Sequence, residues 1–366
     1  MRRRGVGQSS RSYFSIIRRL LSSLTESERI GFCFDIDGVL TKGSRALPEA
    51  QRALEILHNS NGKPRMPVAY LTNGGGVTEG DRSKQLASMF GIQIDPEQMI
   101  LSHSPFRKLS SKFQSKPVLV VGRGDSQHVA RHYGYSHIIS SKQLIERNPS
   151  CVPFMNAESM HADSEGVPRY GTEQNPIEAI MIFTDPSDWY LEIQVILDLL
   201  LYGGVFGGTT EYLNSRGQQP QLFISHGDSV WSNEFPTPRL GLGSFTSCLE
   251  TLYKDRTGMN LAYRVFGKPH REAYLLAEDA LQAQASKLWN APTCSKIFAI
   301  GDNPSADIRG ANRQGDPWVS VLVRTGVFNG GLNCSVDPAH IVVDNVEDAI
   351  LTAMNHCRRD RWHSLR

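Results

Sequence analysis

Two aspartates directly follow a run of bulky apolar residues in the segment GFCFDIDGVLTKG, residues 31–43. One isoleucine separates Asp35 from Asp37, and a glycine comes next. Burying a carboxylate is costly unless a counter-charge or a metal ion offsets it. The pair is therefore either a solvated turn, which is the commoner origin of an isolated Asp-x-Asp, or one part of a site whose other parts lie elsewhere in the chain.

Three further polar segments follow apolar runs, and they read TNGGG, GKP and GDNPSAD. They contribute Thr72 with Asn73, then Lys268, then Asp302 with Asp307. Each segment alone predicts only a turn or a helix cap. In an open parallel α/β sheet, however, ligands bind outside the carboxyl ends of the strands, so one crevice could collect all of these side chains.

Carboxylates, a hydroxyl, an ammonium group and a glycine-rich loop together suit phosphoryl transfer. Clustered carboxylates repel one another unless a hard cation lies among them, and Mg²⁺ accepts carboxylate and phosphate oxygens as ligands. A carboxylate can attack phosphorus to form an aspartyl-phosphate. A metal ion and a lysine can neutralise the charge on the group being transferred. We therefore predict a Mg²⁺-dependent site for a phosphorylated substrate.

The residues receive separate predicted roles. Asp35 follows the apolar run directly and is the expected nucleophile, while Asp37 is the expected general acid and base. The predicted metal ligands are Asp35, Asp37 and Asp302. Asp37 could contact the ion through its backbone carbonyl. Asp307 is expected outside these ligands, holding Lys268 or an outer-shell water. The predicted phosphate contacts are Thr72, Asn73, Gly74 and Lys268, because glycines let backbone N–H groups approach an anion.

Alternating strand and helix patterns position these segments. From residue 30 the runs IGFCFDID, MPVAYLTN and MILSHSP are typical of buried strands, and amphipathic helices separate them. Such alternation favours an α/β fold with a parallel sheet covered on both faces. The middle of the chain is less regular, reads as a separate small α/β unit, and has a polar stretch at 141–175 that we interpret mainly as loop.

Composition excludes several classes of protein. The chain has 366 residues, 40% hydrophobic and 21% charged, which suits a globular protein with two cores. A formal net charge of +2 without an internal basic cluster argues against a nucleic-acid partner. Six scattered cysteines without a CxxC pair favour reduced thiols. No apolar run reaches the roughly 18 residues of a membrane span, so no integral span is expected.

The first 28 residues differ from the rest of the chain. They are rich in arginine and serine, and no acidic residue precedes Glu26. That composition, with an apolar stripe at helical spacing, is typical of a mitochondrial transit peptide. The alternative is a disordered or surface basic tail. The first interpretation predicts a mitochondrial protein, in the matrix.

The four segments DIDGV, LTN, GKP and GDNPSAD resemble the four motifs of the haloacid dehalogenase superfamily, and the resemblance spans residues 30–355. It implies a Rossmann-like core and Mg²⁺-dependent hydrolysis of phosphate esters, with an aspartate at 37 as in its phosphatases. The long interval between Thr72 and Lys268 resembles members with a large α/β cap. It implies a cap at 104–236 inserted into a core of 29–103 and 237–366. Segments such as ILSHSP and CLETLY are similar to the cat eye syndrome critical region protein 5 group of mitochondrial proteins.

Two departures from the superfamily pattern bear on the substrate. TNGGG offers fewer side-chain contacts than usual, and Ser225-His226 stands where a Thr-Asn or Ser-Asn pair is more common. His226, Asp228 and Asn233 are candidate specificity residues, although His226 could equally lie on a cap surface. A large cap implies a small phosphorylated metabolite as substrate and could also form a homodimer contact. A non-catalytic binding or regulatory protein on the same fold is the alternative, whereas dehalogenation would need neither Mg²⁺ nor Asp37.

Overall fold

A computed structural model describes residues 29–154, 169–216, 218–291 and 293–363. The predicted transit peptide at 1–28 lies outside the described residues, as does part of the predicted loop at 141–175. The other segments discussed above fall within the described part.

The chain runs through a first core segment, a cap and a second core segment. The first core segment comprises β1 (Ile30–Phe34), β2 (Thr41–Lys42), β3 (Arg45–Ala46), α1 (Pro48–Leu57), β4 (Val68–Leu71), α2 (Glu79–Phe90) and β5 (Met99–Ile100). The cap comprises α3 (Ser110–Phe113), β6 (Val118–Val121), α4 (Ser126–His132), β7 (Ile138–Ile139), α5 (Ser141–Arg147), β8 (Ala179–Ile182), α6 (Trp189–Leu201), α7 (Thr210–Arg216), β9 (Gln221–Ile224), β10 (Val230–Trp231), β11 (Arg239–Leu240), α8 (Leu242–Thr257) and β12 (Arg264–Val265). The second core segment comprises α9 (Arg271–Trp289), β13 (Lys296–Gly301), α10 (Arg309–Gln314), β14 (Trp318–Val323), β15 (Ile341–Val343) and α11 (Val346–His363).

The core is a six-stranded sheet in the order β15-β14-β13-β1-β4-β5, and all of its pairings are parallel. This confirms the predicted α/β fold. All five residues of β1 are buried, because helices cover both faces of the sheet. Phe32 and Phe34 pack into one apolar cluster, and Cys33 packs into the cluster on the opposite face. Truncating Phe32 to alanine would cost about 3–5 kcal/mol of stability.

The cap has its own five-stranded parallel sheet, in the order β12-β9-β8-β6-β7. The separate α/β unit expected from the sequence is therefore present. One helix, α5, lies within the stretch interpreted mainly as loop. Its start is fixed by a capping box between Ser140 and Gln143, and it buries Leu144 and Ile145 against the cap.

The cap extends further along the chain than the predicted boundary at residue 236. The strand β12 pairs with β9 in the cap sheet, in parallel. The helix α8 also belongs to the cap, because Leu242, Phe245 and Leu249 pack into its apolar cluster. The sequence pattern alone did not distinguish these elements from core elements, since a buried strand and an amphipathic helix look alike in either domain.

None of the helices in the described ranges is both long and apolar enough to cross a membrane.

Candidate active site

Asp35 lies at the carboxyl edge of the core sheet because of the register of β1. Phe34 pairs with Ile300 on one side and with Tyr70 on the other. The N–H of Asp35 donates to the Ile300 carbonyl at 2.9 Å, which continues the sheet ladder by one residue. Parallel pairing therefore brings the residues that follow β1, β4 and β13 to one edge, as the sequence motifs predicted.

Lys268 binds two carboxylates at this edge. Its Nζ donates to Asp35 Oδ1 at 2.6 Å and to Asp307 Oδ1 at 2.7 Å, and all three side chains are buried. Burial disfavours the ammonium ion, but Asp307 and Asp35 outweigh it and hold the pKa of Lys268 well above its usual value. The lysine is therefore charged at neutral pH and offsets one negative charge.

The strand before Lys268 belongs to the cap sheet and not to the core. The chain leaves β12 and returns to the core through the segment that carries Lys268. Asn73 fixes this segment, because its Oδ1 accepts from the Lys268 N–H at 2.8 Å and its Nδ2 donates to the Lys268 carbonyl at 3.1 Å. The expectation that each motif ends a core strand is thus wrong for this motif.

Three buried carboxylates converge where a metal ion could bind. One oxygen each from Asp35, Asp302 and Asp307 lies within 4.8 Å of the others. Burial, Asp35 and Asp307 raise the pKa of Asp302 well above its usual value, and burial together with Asp35 raises the pKa of Asp307 to about 6 although Lys268 opposes it. Three carboxylates thus face one ammonium group, and a divalent cation suits that excess of negative charge. The residues present fit Mg²⁺.

Asp302 is held in a cradle of glycines. Its Oδ2 accepts from the Val327 N–H at 2.6 Å. A Cβ atom on Gly326 would come within 1.8 Å of Asp302 Oδ2, and one on Gly38 within 2.4 Å. Gly38 also has a φ of +90°, which favours glycine. The glycine in DIDGV therefore turns the chain and leaves room for the carboxylate of another motif.

Asp37 stands apart from the three clustered carboxylates. Its Oδ1 accepts from Thr41 Oγ1 at 3.4 Å, and its side chain lines the same cavity as Asp35. Burial raises the pKa of Asp37, against the opposing effect of Arg82, Lys268 and Arg123. A raised pKa favours a carboxyl group that can donate a proton near neutral pH. The assignment of Asp37 as a metal ligand stays a prediction. Asp307, which was expected outside the metal ligands, is one of the three clustered carboxylates.

The TNGGG loop packs tightly against the cap. The Gly74 N–H donates to Thr72 Oγ1 at 2.9 Å, and both residues line the cavity. A Cβ atom on Gly75 would lie 3.1 Å from the Phe183 carbonyl oxygen of the cap. Gly76 has a φ of +84°, and its carbonyl accepts from the Asp125 N–H of the cap at 3.1 Å. The glycines that depart from the family pattern therefore allow close contact between the core loop and the cap.

The three predicted specificity residues lie in different environments. His226 is buried and lines the cavity, with Nε2 3.6 Å from Asp185 Oδ2, so the alternative of a surface histidine is wrong. Asp228 also lines the cavity and accepts from Asn73 Nδ2 at 2.9 Å, which joins cap to core. Asn233 is not among the cavity-lining residues, and its Oδ1 accepts from the Phe235 N–H.

The cavity between core and cap has a volume of about 260 Å³. Residues that the sequence motifs did not indicate also line it, among them Arg82, Arg123 and Asp185. Asp185 follows β8, at the carboxyl end of a parallel strand, which is the one local signal that could have identified it. Burial raises the pKa of Asp185, but His226 and Arg123 outweigh it and bring the pKa to about 2.

Comparison with known proteins agrees with this geometry. The model of the family "Haloacid dehalogenase-like hydrolase" matches residues 32–136, and a second model, "HAD-hydrolase-like", matches residues 265–349. A mitochondrial hydrolase of Saccharomyces cerevisiae is 31% identical over 348 residues, covering 89% of this chain and 96% of that protein. A cardiolipin synthase (CMP-forming) and mitochondrial hydrolase fusion protein of Schizosaccharomyces pombe is 34% identical over 352 residues, covering 95% of this chain.

This chain spans 57% of the length of the fusion protein. Among solved structures, a glycerol phosphate phosphatase of Mycobacterium tuberculosis in complex with magnesium superposes with a TM-score of 0.54 at 16% identity, covering 88% of this chain and 76% of that chain. At that identity the likeness concerns the fold. The closer resemblance to the cat eye syndrome critical region protein 5 group stays a prediction.

The matches to both core segments and the yeast relative aligned over nearly its whole length lead to the same assignment. This chain belongs to the haloacid dehalogenase-like hydrolases.

Proposed function

We propose that this protein is a Mg²⁺-dependent phosphatase that hydrolyses a small phosphorylated metabolite through an aspartyl-phosphate on Asp35. The observation that carries the proposal is the buried arrangement in which Lys268 Nζ bridges Asp35 and Asp307, with Asp302 beside them. These side chains line the cavity between core and cap. Such an arrangement has the nucleophile, the counter-charge and the oxygen ligands that phosphoryl transfer requires.

The residues of this chain have distinct tasks in that reaction. Asp35 attacks phosphorus with a carboxylate oxygen, and the P–O bond to the leaving group breaks. Asp37 donates its proton to the leaving oxygen and then accepts a proton from the water that cleaves the acyl-phosphate. Lys268 offsets the charge of Asp35 and of the phosphoryl group. The Thr72 hydroxyl and the loop that begins at Gly74 line the space for the phosphoryl oxygens.

Asp35, Asp302 and Asp307 are the side chains that would hold Mg²⁺. When bound, the ion would neutralise carboxylate charge and stabilise the negative charge that develops on the phosphoryl group. The excess of buried carboxylates over ammonium groups is the property of this chain that supports the assignment.

The cavity supports a small substrate. About 260 Å³ is below the usual range of drug-sized ligand sites, roughly 300–1,000 Å³. The cap covers the site by direct contacts, since Glu234 Oε1 in the cap accepts from the Ser44 N–H at 2.7 Å and from Ser44 Oγ at 3.0 Å. A phosphorylated protein surface would not fit while the cap is closed.

Mitochondrial localisation is part of the proposal. The two relatives named above are described as mitochondrial hydrolases, and the composition of residues 1–28 is typical of a transit peptide. Fluorescence microscopy of residues 1–30 fused to a reporter tests it, and fractionation distinguishes the matrix from other compartments. A homodimer through the cap stays a prediction that light scattering of the purified protein would test.

Replacing the nucleophile tests the proposed reaction. Asp35→Asn should abolish the hydrolysis of p-nitrophenyl phosphate in the presence of Mg²⁺, because the carboxamide cannot form the acyl-phosphate. Asp279→Asn is the matched control, since Asp279 is exposed on α9 and does not line the cavity. Retained turnover in Asp35→Asn would contradict the assignment. An inactive wild type that Mg²⁺ nevertheless stabilises would favour the non-catalytic alternative.

A further inference from the structure

Arg82 lines the cavity and forms no ion pair within 4 Å in the part of the chain that the structure describes. It lies in the first turn of α2, is half-buried, and donates from Nη1 to Gln85 Oε1 at 3.3 Å. The neighbouring acid, Asp81, lies near Lys84 at 3.9 Å instead. A half-buried guanidinium group that lines a cavity and is not held in a close ion pair is well suited to bind an anionic ligand.

Arg123 approaches the same cavity from the cap. Its Nη2 is 3.7 Å from Asp185 Oδ2, and its guanidinium lies 5.8 Å from the ring centroid of Trp231. The distance of 3.7 Å is long for an ion pair, and the Arg123 side chain is 48% exposed. Asp185 is also close to His226, so its negative charge is shared between two basic groups.

The two arginines line the cavity together with Asp37, and Lys268 is hydrogen-bonded to Asp35 and Asp307. Among the described residues that line this cavity, Arg82 and Arg123 are the arginine and lysine side chains other than Lys268. Asp37 is the proposed proton donor to the leaving oxygen. The guanidinium groups are therefore placed for the part of the substrate beyond the scissile bond, and Lys268 for the phosphoryl group itself.

We infer that the substrate's leaving group carries a second anionic group, which Arg82 of the core and Arg123 of the cap bind. This inference rests on the proposed function, because it names the substrate class of the same site. A carboxylate or a phosphodiester would supply the required chemistry, since the planar guanidinium group matches both. The substrate class is therefore a phosphomonoester whose leaving group also carries a carboxylate or a phosphodiester.

Matched substrates give a direct test. Glycerol 3-phosphate and 3-phosphoglycerate share a carbon skeleton and differ in whether the far end is a neutral alcohol or a carboxylate. A third compound, a glycerol monophosphate that carries a methyl phosphodiester, distinguishes the two anions. Wild-type protein with Mg²⁺ should have a higher kcat/KM for at least one anionic compound than for glycerol 3-phosphate.

Arg82→Gln should lower that selectivity ratio about tenfold or more, the usual effect of losing one charge-assisted hydrogen bond. The effect of Arg82 on Asp37 acts on all substrates alike and cancels in the ratio. Arg123→Gln should lower the ratio as well. Lys84→Gln is the matched control, because it removes the same charge from the same helix at a residue whose side chain is 81% exposed and does not line the cavity.

Binding gives a readout that does not depend on turnover. Calorimetric titration of the Asp35→Asn protein with the same compounds should show weaker binding of the anionic compound when Arg82→Gln is added, and unchanged binding of glycerol 3-phosphate. Equal losses for both compounds would mean that Arg82 binds the transferred phosphate, and this would overturn the inference. A wild type without preference for either anionic compound would also overturn it. Failure of the proposed function differs, since p-nitrophenyl phosphate would then not be hydrolysed at all.

Discussion

Asp302→Asn should stabilise the metal-free protein while removing most of its response to Mg²⁺. Asp302 is buried, and one of its oxygens lies within 4.8 Å of oxygens of Asp35 and Asp307. At an effective dielectric constant of about 20, two like charges 4.8 Å apart repel by about 3.5 kcal/mol. Lys268 offsets part of this repulsion. Removing the charge of Asp302 should therefore raise the free energy of unfolding by about 2–4 kcal/mol in EDTA at pH 8.

The same substitution should reduce the effect of Mg²⁺. Wild-type protein at a Mg²⁺ concentration of 100 times Kd should gain about 2.7 kcal/mol over the metal-free state. The variant should gain much less, because one of three carboxylate ligands has become a carboxamide. Its gain in EDTA should also shrink as the pH falls towards 5. The pKa of Asp302 is raised in the folded protein, so the folded state takes up protons at a higher pH than the unfolded state and the repulsion disappears on acidification.

Urea unfolding at pH 8 and pH 5, with EDTA or with MgCl₂, measures these effects. Asp279→Asn on the exposed face of α9 controls for loss of a carboxylate away from the site. A lower stability of Asp302→Asn than of wild type in EDTA at pH 8 would contradict the predicted repulsion. Equal stabilisation of both proteins by Mg²⁺ would contradict the role of Asp302 as a ligand.

Three further predictions concern other buried polar groups. Lys268→Met should abolish turnover and lower the free energy of unfolding by about 3–5 kcal/mol at pH 8, because the substitution leaves Asp35 and Asp307 without their counter-charge. Urea unfolding measures this loss, and an unchanged stability would contradict the prediction. Asn73→Ala should lower the free energy of unfolding by about 2–3 kcal/mol, since Asp228 and the Lys268 backbone lose their hydrogen bonds. Hydrogen exchange at the Lys268 amide should become faster, and unchanged exchange would count against the prediction. Glu192 in α6 has a pKa raised by burial from 4.5 to about 7, although Ser141 donates to it, so wild-type stability should fall as the pH rises from about 4.5 to 7 and level off above that. Glu192→Gln should remove that dependence in thermal unfolding curves, and a parallel decline in both proteins would refute it.

The elements that follow local rules were predictable. The start of α2 is marked by Thr78, whose side chain accepts from the Asp81 N–H, and its end by Gly91 with a φ of +66°. The buried strand β1 follows from its unbroken apolar run. The convergence of Asp35, Thr72 and Asp302 follows from a topological rule, because parallel strands present their carboxyl ends at one edge.

The assignment of elements to domains was less predictable. The strand before Lys268 looks like a core strand in sequence, yet it pairs with β9 of the cap. Strand pairing depends on contacts between residues far apart in the chain, and a single sequence does not contain that information. For the same reason the pattern, which placed Asp307 with Lys268, did not also place it within 4.8 Å of the Asp35 and Asp302 oxygens.

The α/β fold and the reactive groups could be predicted from the sequence, because apolar periodicity and the polar residues after strands depend on neighbours in the chain. Contacts between distant segments determine which groups share one cavity. Arg82 on a helix and Arg123 on a cap turn both line it although neither belongs to a motif. The glycines after Asn73 show the same division. In sequence they predict backbone N–H groups that can approach an anion, whereas in the fold they also allow the core to contact the cap, because a Cβ atom on Gly75 would lie 3.1 Å from the Phe183 carbonyl oxygen of the cap.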